Sequence, residues 1–190
     1  MRTRLIRARD FERQARMIGL LVLCCGLFVS CGSSGGGAAA PGSCLSYGAA
    51  GAAAANTVVA RQAAGASCDL IAVEFVVTGV SDLFATAFTV QFDSAVVSYE
   101  SLTIIGSVLS SDGAALQVIE QESAGQVVIG ITRVASTGIA TDGILVTLIF
   151  RRLAASGTSP LSFTGESLLD SSTPPAPIAS VWFGGTFTIN

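Results

Sequence analysis

The fold is decided by the stretch Phe84–Asp93, which reads FATAFTVQFD. Successive side chains of a β-strand point to opposite faces of its sheet, so every second residue shares one environment. One face of this stretch carries Phe84, Phe88, Val90 and Phe92. The other face carries Ala85, Ala87, Thr89 and Gln91. The alternation predicts a half-buried strand with its aromatic face in a core and its small, uncharged face outside.

Similar short runs, rich in β-branched and aromatic residues, follow one another along the chain, with Gly, Asp, Ser and Pro between them. They predict nine strands: Thr57–Arg61, Leu70–Val77, Phe84–Asp93, Val96–Ile105, Ala115–Gln121, Gln126–Arg133, Gly143–Arg151, Leu161–Thr164 and Val181–Ile189. Gly184-Gly185 inside the last run predicts a β-bulge. Apart from the N-terminal segment, no long stretch has a helical period. The fold class expected is therefore all-β, an antiparallel β-sandwich.

The N-terminal segment has the features of an export signal. Six arginines stand against two acidic residues in the first sixteen positions, which makes a positively charged start. The apolar run Met17–Val29 would span about 20 Å as a helix, less than the roughly 30 Å of a bilayer core. Phe28-Val29-Ser30-Cys31 resembles a bacterial lipobox. Residues 1–30 are thus predicted to be a lipoprotein signal peptide, with Cys31 as the lipidation site; the alternative is an ordinary cleaved signal with Cys31 incidental.

The rest of the organisation follows from composition. Residues 31–56 are mostly Gly, Ala and Ser and predict a tether, and residues 57–190 predict one β-sandwich domain. Gly32, not Asp, follows the lipidated cysteine. The expected location is the cell envelope of a bacterium, with the lipid anchor in the outer membrane or at the cell surface and no segment crossing the bilayer.

Charge excludes several function classes. The part after Cys31 carries four arginines against eleven acidic residues, a net charge of −7, and the whole chain has no Lys and no His. Nucleic acid is therefore not an expected partner. Without His there is no Ser–His nucleophile and no His-based zinc site. Glu120 and Glu122 share one strand face with no cleft between them, so carboxylate catalysis of glycoside hydrolysis is not expected either. The sequence predicts a non-catalytic protein with no cofactor and no bound metal.

Two cysteines remain in the exported part, Cys44 and Cys68. An even number outside the cytosol favours a disulfide, and two free thiols are the alternative. A bridge between them would staple the Ala/Gly-rich lead-in to the body of the domain.

Three motifs resemble the cohesin family. They are GVSDLFATAFTVQFDSAVVSYESLTIIGSVL at residues 79–109, DGILVTLIF at 142–150 and GGTFTI at 184–189. The resemblance covers residues 57–190 and implies a nine-strand jelly roll that does no chemistry. Its implied partner is a protein module, a calcium-loaded dockerin, bound on the outward side of one sheet. On this chain Ala85, Ala87, Thr89 and Gln91 would lie on that side, where cellulosomal cohesins tend to carry Asn or Asp at the positions of Ala85 and Ala87.

The alternative function is carbohydrate binding in polysaccharide degradation, since the implied fold is close to that of some carbohydrate-binding modules. A sugar ring stacks on an exposed aromatic side chain, and Trp182 and Tyr99 are the candidates for such stacking. The competing interpretation places both rings in the core or at its edge.

Overall fold

The computed structural model describes residues 4–5, 43–140 and 142–190. Most of the predicted signal peptide (residues 1–30) and the predicted lipidation site, Cys31, lie outside the described residues. Within the described part, no helix is long and apolar enough to cross a membrane.

Strands make up nearly all the regular structure of the described residues. They are β1 (Arg4–Leu5), β2 (Leu45–Ala49), β3 (Thr57–Gln62), β4 (Leu70–Thr78), β5 (Ala85–Gln91), β6 (Val97–Thr103), β7 (Ala115–Ser123), β8 (Gln126–Val134), β9 (Gly143–Arg152), β10 (Gly157–Leu169), β11 (Pro177–Ile178), β12 (Val181–Phe183) and β13 (Gly185–Ile189). One short 3₁₀-helix, Val108–Ser110, follows β6.

The strands form two sheets. The first has the order β1-β7-β8-β5-β10-β13-β2, with β11 paired to β10, and the second has the order β12-β3-β4-β9-β6. Neighbouring strands are antiparallel except for β12 and β3, which are parallel. The predicted all-β antiparallel sandwich is confirmed.

Aromatic side chains from both sheets meet in the core. Phe75 of β4 lies 5.4 Å from Phe88 of β5, centroid to centroid, and Phe150 of β9 lies 4.8 Å from Phe187 of β13. All four are almost completely buried, and burying one such side chain contributes about 1.5–3 kcal/mol. Of the predicted inward face, Phe88 and Val90 are buried and Phe92 packs against the core, whereas Phe84 is only half-buried.

The domain begins earlier than predicted. Leu45–Ala49, expected to be tether, is an edge strand that pairs with β13. Leu45 and Tyr47 are buried against the core, while Ser46 and Gly48 point outward. The Gly, Ala and Ser composition of residues 31–56 gave little indication of this strand, because only two large side chains, Leu45 and Tyr47, show the alternation of a strand.

The last predicted strand divides at Gly184 and Gly185. β12 pairs with β3 in the second sheet, and β13 pairs with β10 and β2 in the first, so the chain changes sheet here. A Cβ on Gly184 would overlap the carbonyl oxygen of Leu161, and one on Gly185 would overlap that of Gly48. The predicted bulge is wrong, and the two glycines instead permit a close backbone crossing.

Candidate binding face

Four adjacent strands of the first sheet, β7, β8, β5 and β10, present one continuous outward surface. Their register aligns the outward side chains in rows. We define the outer face as three of these rows: Ile119, Gly130, Ala87 and Ser167; Gln121, Val128, Thr89 and Thr164; Ser123, Gln126, Gln91 and Ser162.

The first row has a depression at Gly130. Ile119 stands on one side of it with 46% of its surface exposed, and Ala87 lies on the other side. A Cβ placed on Gly130 would be 3.7 Å from the Cβ of Ile119 and would meet no other atom of the domain within 4 Å. The position is therefore open to solvent directly above the sheet, with a branched apolar side chain beside it.

None of the three rows contains an ionisable side chain. The four arginines of residues 43–190 are all paired with carboxylates elsewhere: Arg61 with Glu74, Arg133 with Asp112, Arg151 with Glu100 and Arg152 with Asp69. Glu122 and Glu166 are exposed but lie outside these rows: Glu122 shares the inward side of β7 with Glu120, and Glu166 lies at the register shift between Thr164 and Ser167. The outer face is thus uncharged.

The four residues predicted as a binding face share one side of β5, but they are not equally accessible. Ala87 and Gln91 are exposed and Thr89 is half-buried. Ala85 is only 6% exposed, so it does not form part of the open surface. The accessible face extends instead onto β8 and β7, where sequence reasoning had placed no candidate.

Tyr99 lies between the two sheets. Its ring packs against Phe150, only 6% of the residue is exposed, and its hydroxyl donates a hydrogen bond to Glu120 on β7 at 2.5 Å. Burial, and next the hydrogen bond to Glu120, raises the pKa of the Tyr99 hydroxyl above its ordinary range. This geometry speaks against the sugar-stacking hypothesis for Tyr99, because a sugar ring needs an open aromatic face.

Trp182 packs inward as well. Its ring centroid is 5.1 Å from that of Phe88 and 5.2 Å from that of Phe163, and its indole N–H donates to Ser180 Oγ. The ring is partly buried against the core cluster. Trp182, on β12 of the second sheet, therefore packs against the first sheet. This position does not support the hypothesis that it stacks on a sugar ring.

A second ordered feature surrounds the point where the domain begins. We call it the clasp, and it consists of Ser43, Cys44, Cys68, Asp69 and Arg152. The Cys44–Cys68 disulfide predicted from the sequence is confirmed. Arg152 donates from Nη1 to the Ser43 carbonyl oxygen at 2.5 Å and lies 2.7 Å from Asp69 Oδ1. The clasp thus ties the entry of β2 to the start of β4 and the end of β9.

Sequence reasoning missed Arg133, which is 2% exposed. Its guanidinium donates from Nε to the Thr137 carbonyl at 3.1 Å, from Nη1 to the Leu109 carbonyl at 2.5 Å and from Nη2 to Asp112 at 2.5 Å. The bond from Arg133 Nη2, and next the bond from the Ala114 backbone N–H, lower the pKa of the Asp112 carboxyl from its ordinary value. The sequence did indicate that Arg133 would be buried and paired, because it occupies an inward position in the alternation of β8, where a charge requires partners.

The described residues contain no group of three or more Cys, Asp or Glu side chains placed to hold a metal ion. The carboxylates in the turns accept hydrogen bonds from backbone N–H groups. Asp93, for example, accepts a hydrogen bond from the Ala95 N–H at 2.8 Å, which is an Asx turn.

Fold and surface together define a β-sandwich with one broad, uncharged sheet face. The family model described as "Cohesin domain" matches residues 56–189, and the chain belongs to this family. Cohesin domains are non-catalytic binding modules. A comparison with curated proteins finds no match.

Solved structures with a similar fold are also cohesins. The sixth cohesin of scaffoldin B from Acetivibrio cellulolyticus, in complex with a Cel5 dockerin mutant, is 21% identical, with a TM-score of 0.53 over 76% of this chain and 96% of that one. A cohesin from Clostridium acetobutylicum is 20% identical, with a TM-score of 0.54 over 70% and 90%. A non-cellulosomal cohesin from the archaeon Archaeoglobus fulgidus is 18% identical, with a TM-score of 0.50 over 62% and 78%.

Proposed function

We propose that this chain is a non-catalytic, lipid-anchored cohesin module that captures a dockerin-like protein module on its outer face. The observation that carries the proposal is the combination of family membership with a continuous, uncharged surface on β7, β8, β5 and β10. The cohesin of Acetivibrio cellulolyticus, which shares the fold, was solved with a dockerin bound. Fold alone does not determine function, so the face and the family have to be taken together.

Anchoring is the second part of the proposal. Lipid on Cys31 would hold the module at the outer membrane or cell surface of a bacterium, and residues 32–42 would form the tether. Because β2 belongs to the domain, this tether is shorter than the sequence first indicated. A coil of that length has an r.m.s. span of about 17–20 Å. A captured partner would therefore stay close to the membrane, at raised effective concentration.

Binding is tested with the full chain and with each dockerin module encoded in the genome that encodes it, loaded with Ca²⁺. Titration calorimetry should give a saturable one-to-one complex with at least one of these modules. A set of soluble polysaccharides serves as the comparison, because carbohydrate binding is the alternative function. Binding to a polysaccharide and to no dockerin would overturn the proposal.

Anchoring is tested by expressing the full chain and the Cys31→Ser variant in a bacterial host supplied with a labelled fatty acid. The original chain should carry the label and fractionate with membranes, and the variant should carry none. Equal fractionation of an unlabelled original chain and the variant would contradict the lipid anchor.

A further inference from the structure

We infer that the outer edge of β7 is a second binding site of this domain. It takes an extended, basic peptide segment of a partner protein as an added antiparallel strand. The site lies at the side of the first sheet, apart from the face proposed for dockerin-like recognition. The inference goes beyond the proposed function and shares with it only the removal of residues 1–30.

The structure already places a strand on this edge. β1 pairs with the outer side of β7 in antiparallel register, with Arg4 opposite Val118. β1 has two residues and β7 has nine, so most of the edge carries no strand among the described residues. Both residues of β1 belong to the predicted signal peptide, and its removal would uncover the whole edge.

The backbone groups that an added strand needs belong to every second residue of β7. Ser123 pairs with Gln126 across a two-residue loop, and in such a pair the two residues exchange both backbone hydrogen bonds. Counting back from Ser123, the odd-numbered residues of β7 bond to β8, and the even-numbered residues direct their N–H and C=O groups to the outer edge. The even-numbered residues are Leu116, Val118, Glu120 and Glu122.

β7 lacks several features that keep sheet edges from pairing, which are short strands, bulges, Pro and Lys. Of the other outermost strands, β2 has five residues, β12 has three, and β6 has a register shift between Tyr99 and Ser101. β7 pairs with β8 over all nine residues without a shift and contains neither Pro nor Lys. The protection it has is the charge of Glu120 and Glu122.

These two glutamates select which strand can pair here. The four arginines of residues 43–190 pair with other carboxylates, and Glu120 accepts a hydrogen bond from the Tyr99 hydroxyl, which brings no positive charge. Like charges opposite each other destabilise a sheet, and opposite charges stabilise it. A second copy of β7 would add two more glutamates, whereas a basic strand would gain. β1 itself is basic, with Arg4 diagonal to Glu120 in the register.

The probe is a synthetic peptide of residues 1–9, MRTRLIRAR, because the structure gives the register of two of its residues against β7. The receptor is the full chain with Arg4→Pro. Proline removes the N–H that this register directs at Val118, so β1 no longer occupies the edge. The variant should bind the peptide in a saturable one-to-one complex. The original chain, in which β1 competes, should bind it at least about tenfold more weakly, and equal binding by both chains would overturn the inference.

Hydrogen exchange followed by NMR locates the peptide on the Arg4→Pro chain. The amides of Val118 and Glu120 face the free edge and should exchange at least about tenfold more slowly when the peptide is bound. Ile119 and Gln121 are the matched control, because their N–H groups bond to β8 with or without the peptide, and they should change less than about twofold. Unchanged exchange at Val118 and Glu120 would overturn strand addition at this edge.

Modified peptides test the hydrogen bonds and the charge separately. In the register of the structure, the N–H of Arg4 in the peptide would bond to Val118 and that of Leu5 would point away from β7. An N-methyl group on Arg4 should therefore weaken binding at least about tenfold, and one on Leu5 less than about threefold. Equal losses would rule out a paired strand. Replacing Arg2 and Arg4 of the peptide by neutral citrulline should weaken binding about threefold or more, and no loss would overturn the basic requirement.

The outcomes also separate the occupants and the two proposals. If the Arg4→Pro chain dimerises in sedimentation experiments and the Val118 amide is protected without peptide, a second copy occupies the edge and the peptide segment is wrong. Dockerin binding without peptide binding leaves the proposed function standing and overturns this inference. Peptide binding without dockerin binding does the reverse.

Discussion

At the scale of single residues, Arg133 has the most demanding environment in the domain. A charge in a β-sandwich core is unfavourable unless it is paired and hydrogen-bonded. Arg133 meets this requirement with two carbonyl groups and one carboxylate, drawn from the segment between β6 and β7 and from the loop that follows β8. One side chain thus fixes two loops at the same end of the sandwich.

Replacing Arg133 by Met should lower the free energy of unfolding by about 2–3 kcal/mol, because the buried Leu109 carbonyl loses its charged donor. The loss is smaller than for a fully buried ion pair, since the Asp112 side chain is 52% exposed and can return to water. Urea denaturation followed by fluorescence of Trp182 measures the change. Asp112→Asn is the control and should cost less. An Arg133→Met protein as stable as the original would contradict this role.

The two tyrosines give a prediction about alkaline pH. Burial raises the pKa of Tyr47, and burial with the hydrogen bond to Glu120 raises the pKa of Tyr99. Because both pKa values are raised in the folded state, the resulting stability is complete below the ordinary value of 10.0 and is lost as the pH rises above it. Absorbance at 295 nm should therefore stay flat through pH 10 and rise only when circular dichroism reports unfolding.

In guanidinium the same two groups should titrate near pH 10, which serves as the reference for the folded protein. A phenolate step near pH 10 with an unchanged circular dichroism spectrum would show that the tyrosines are accessible, in conflict with their positions between the sheets.

At the scale of elements, the link between β12 and β13 decides how the sandwich closes. The chain leaves the second sheet at Phe183 and enters the first at Gly185, passing close to the backbone of β10 and β2. Backbone atoms cannot move aside as the end of a flexible side chain can. Any side chain at this crossing must therefore displace a strand.

Gly184→Ala should destabilise the domain by about 1–3 kcal/mol or more, because its Cβ would overlap the Leu161 carbonyl oxygen. Gly48→Ala is the matched control, since its added methyl meets no atom within 4 Å. Thermal unfolding of the two variants gives the comparison. Equal Tm values would mean that the crossing is looser than the backbone positions indicate.

At the scale of the whole molecule, sequence reasoning succeeded where local alternation decides the outcome. The faces of β5 followed from spacing alone, and the disulfide followed from the presence of only two exported cysteines. The depression at Gly130 could not be predicted in this way, because it depends on the register of β7, β8 and β5, which joins residues far apart in the chain. The same holds for β2, whose place in the sheet depends on pairing with the last strand, β13.

The clasp concerns the whole molecule because it stands where the proposed tether enters the domain. The Cys44–Cys68 bridge links residues 24 apart in sequence and closes a loop that contains both β2 and β3. Tension from a lipid anchor would reach Cys44 first and pass through the bridge to Cys68 and then β4. β4 pairs with β3 on one side and β9 on the other, whereas β2 pairs with β13 alone. In a lipid-anchored chain the bridge would therefore keep the edge strand from being pulled off the sheet.

Replacing both Cys44 and Cys68 by Ser should lower the free energy of unfolding by about 3 kcal/mol in the chain-entropy account of disulfides. The loss of stability should also differ from strand to strand. Hydrogen exchange measured by mass spectrometry should accelerate most in Leu45–Ala49, since that edge strand keeps only its pairing with β13, and least in β4 and β9. A reductant should reproduce the effect in the original chain and add nothing to the double variant. Uniform acceleration across all strands would mean that the bridge stabilises the domain globally and does not protect its edge.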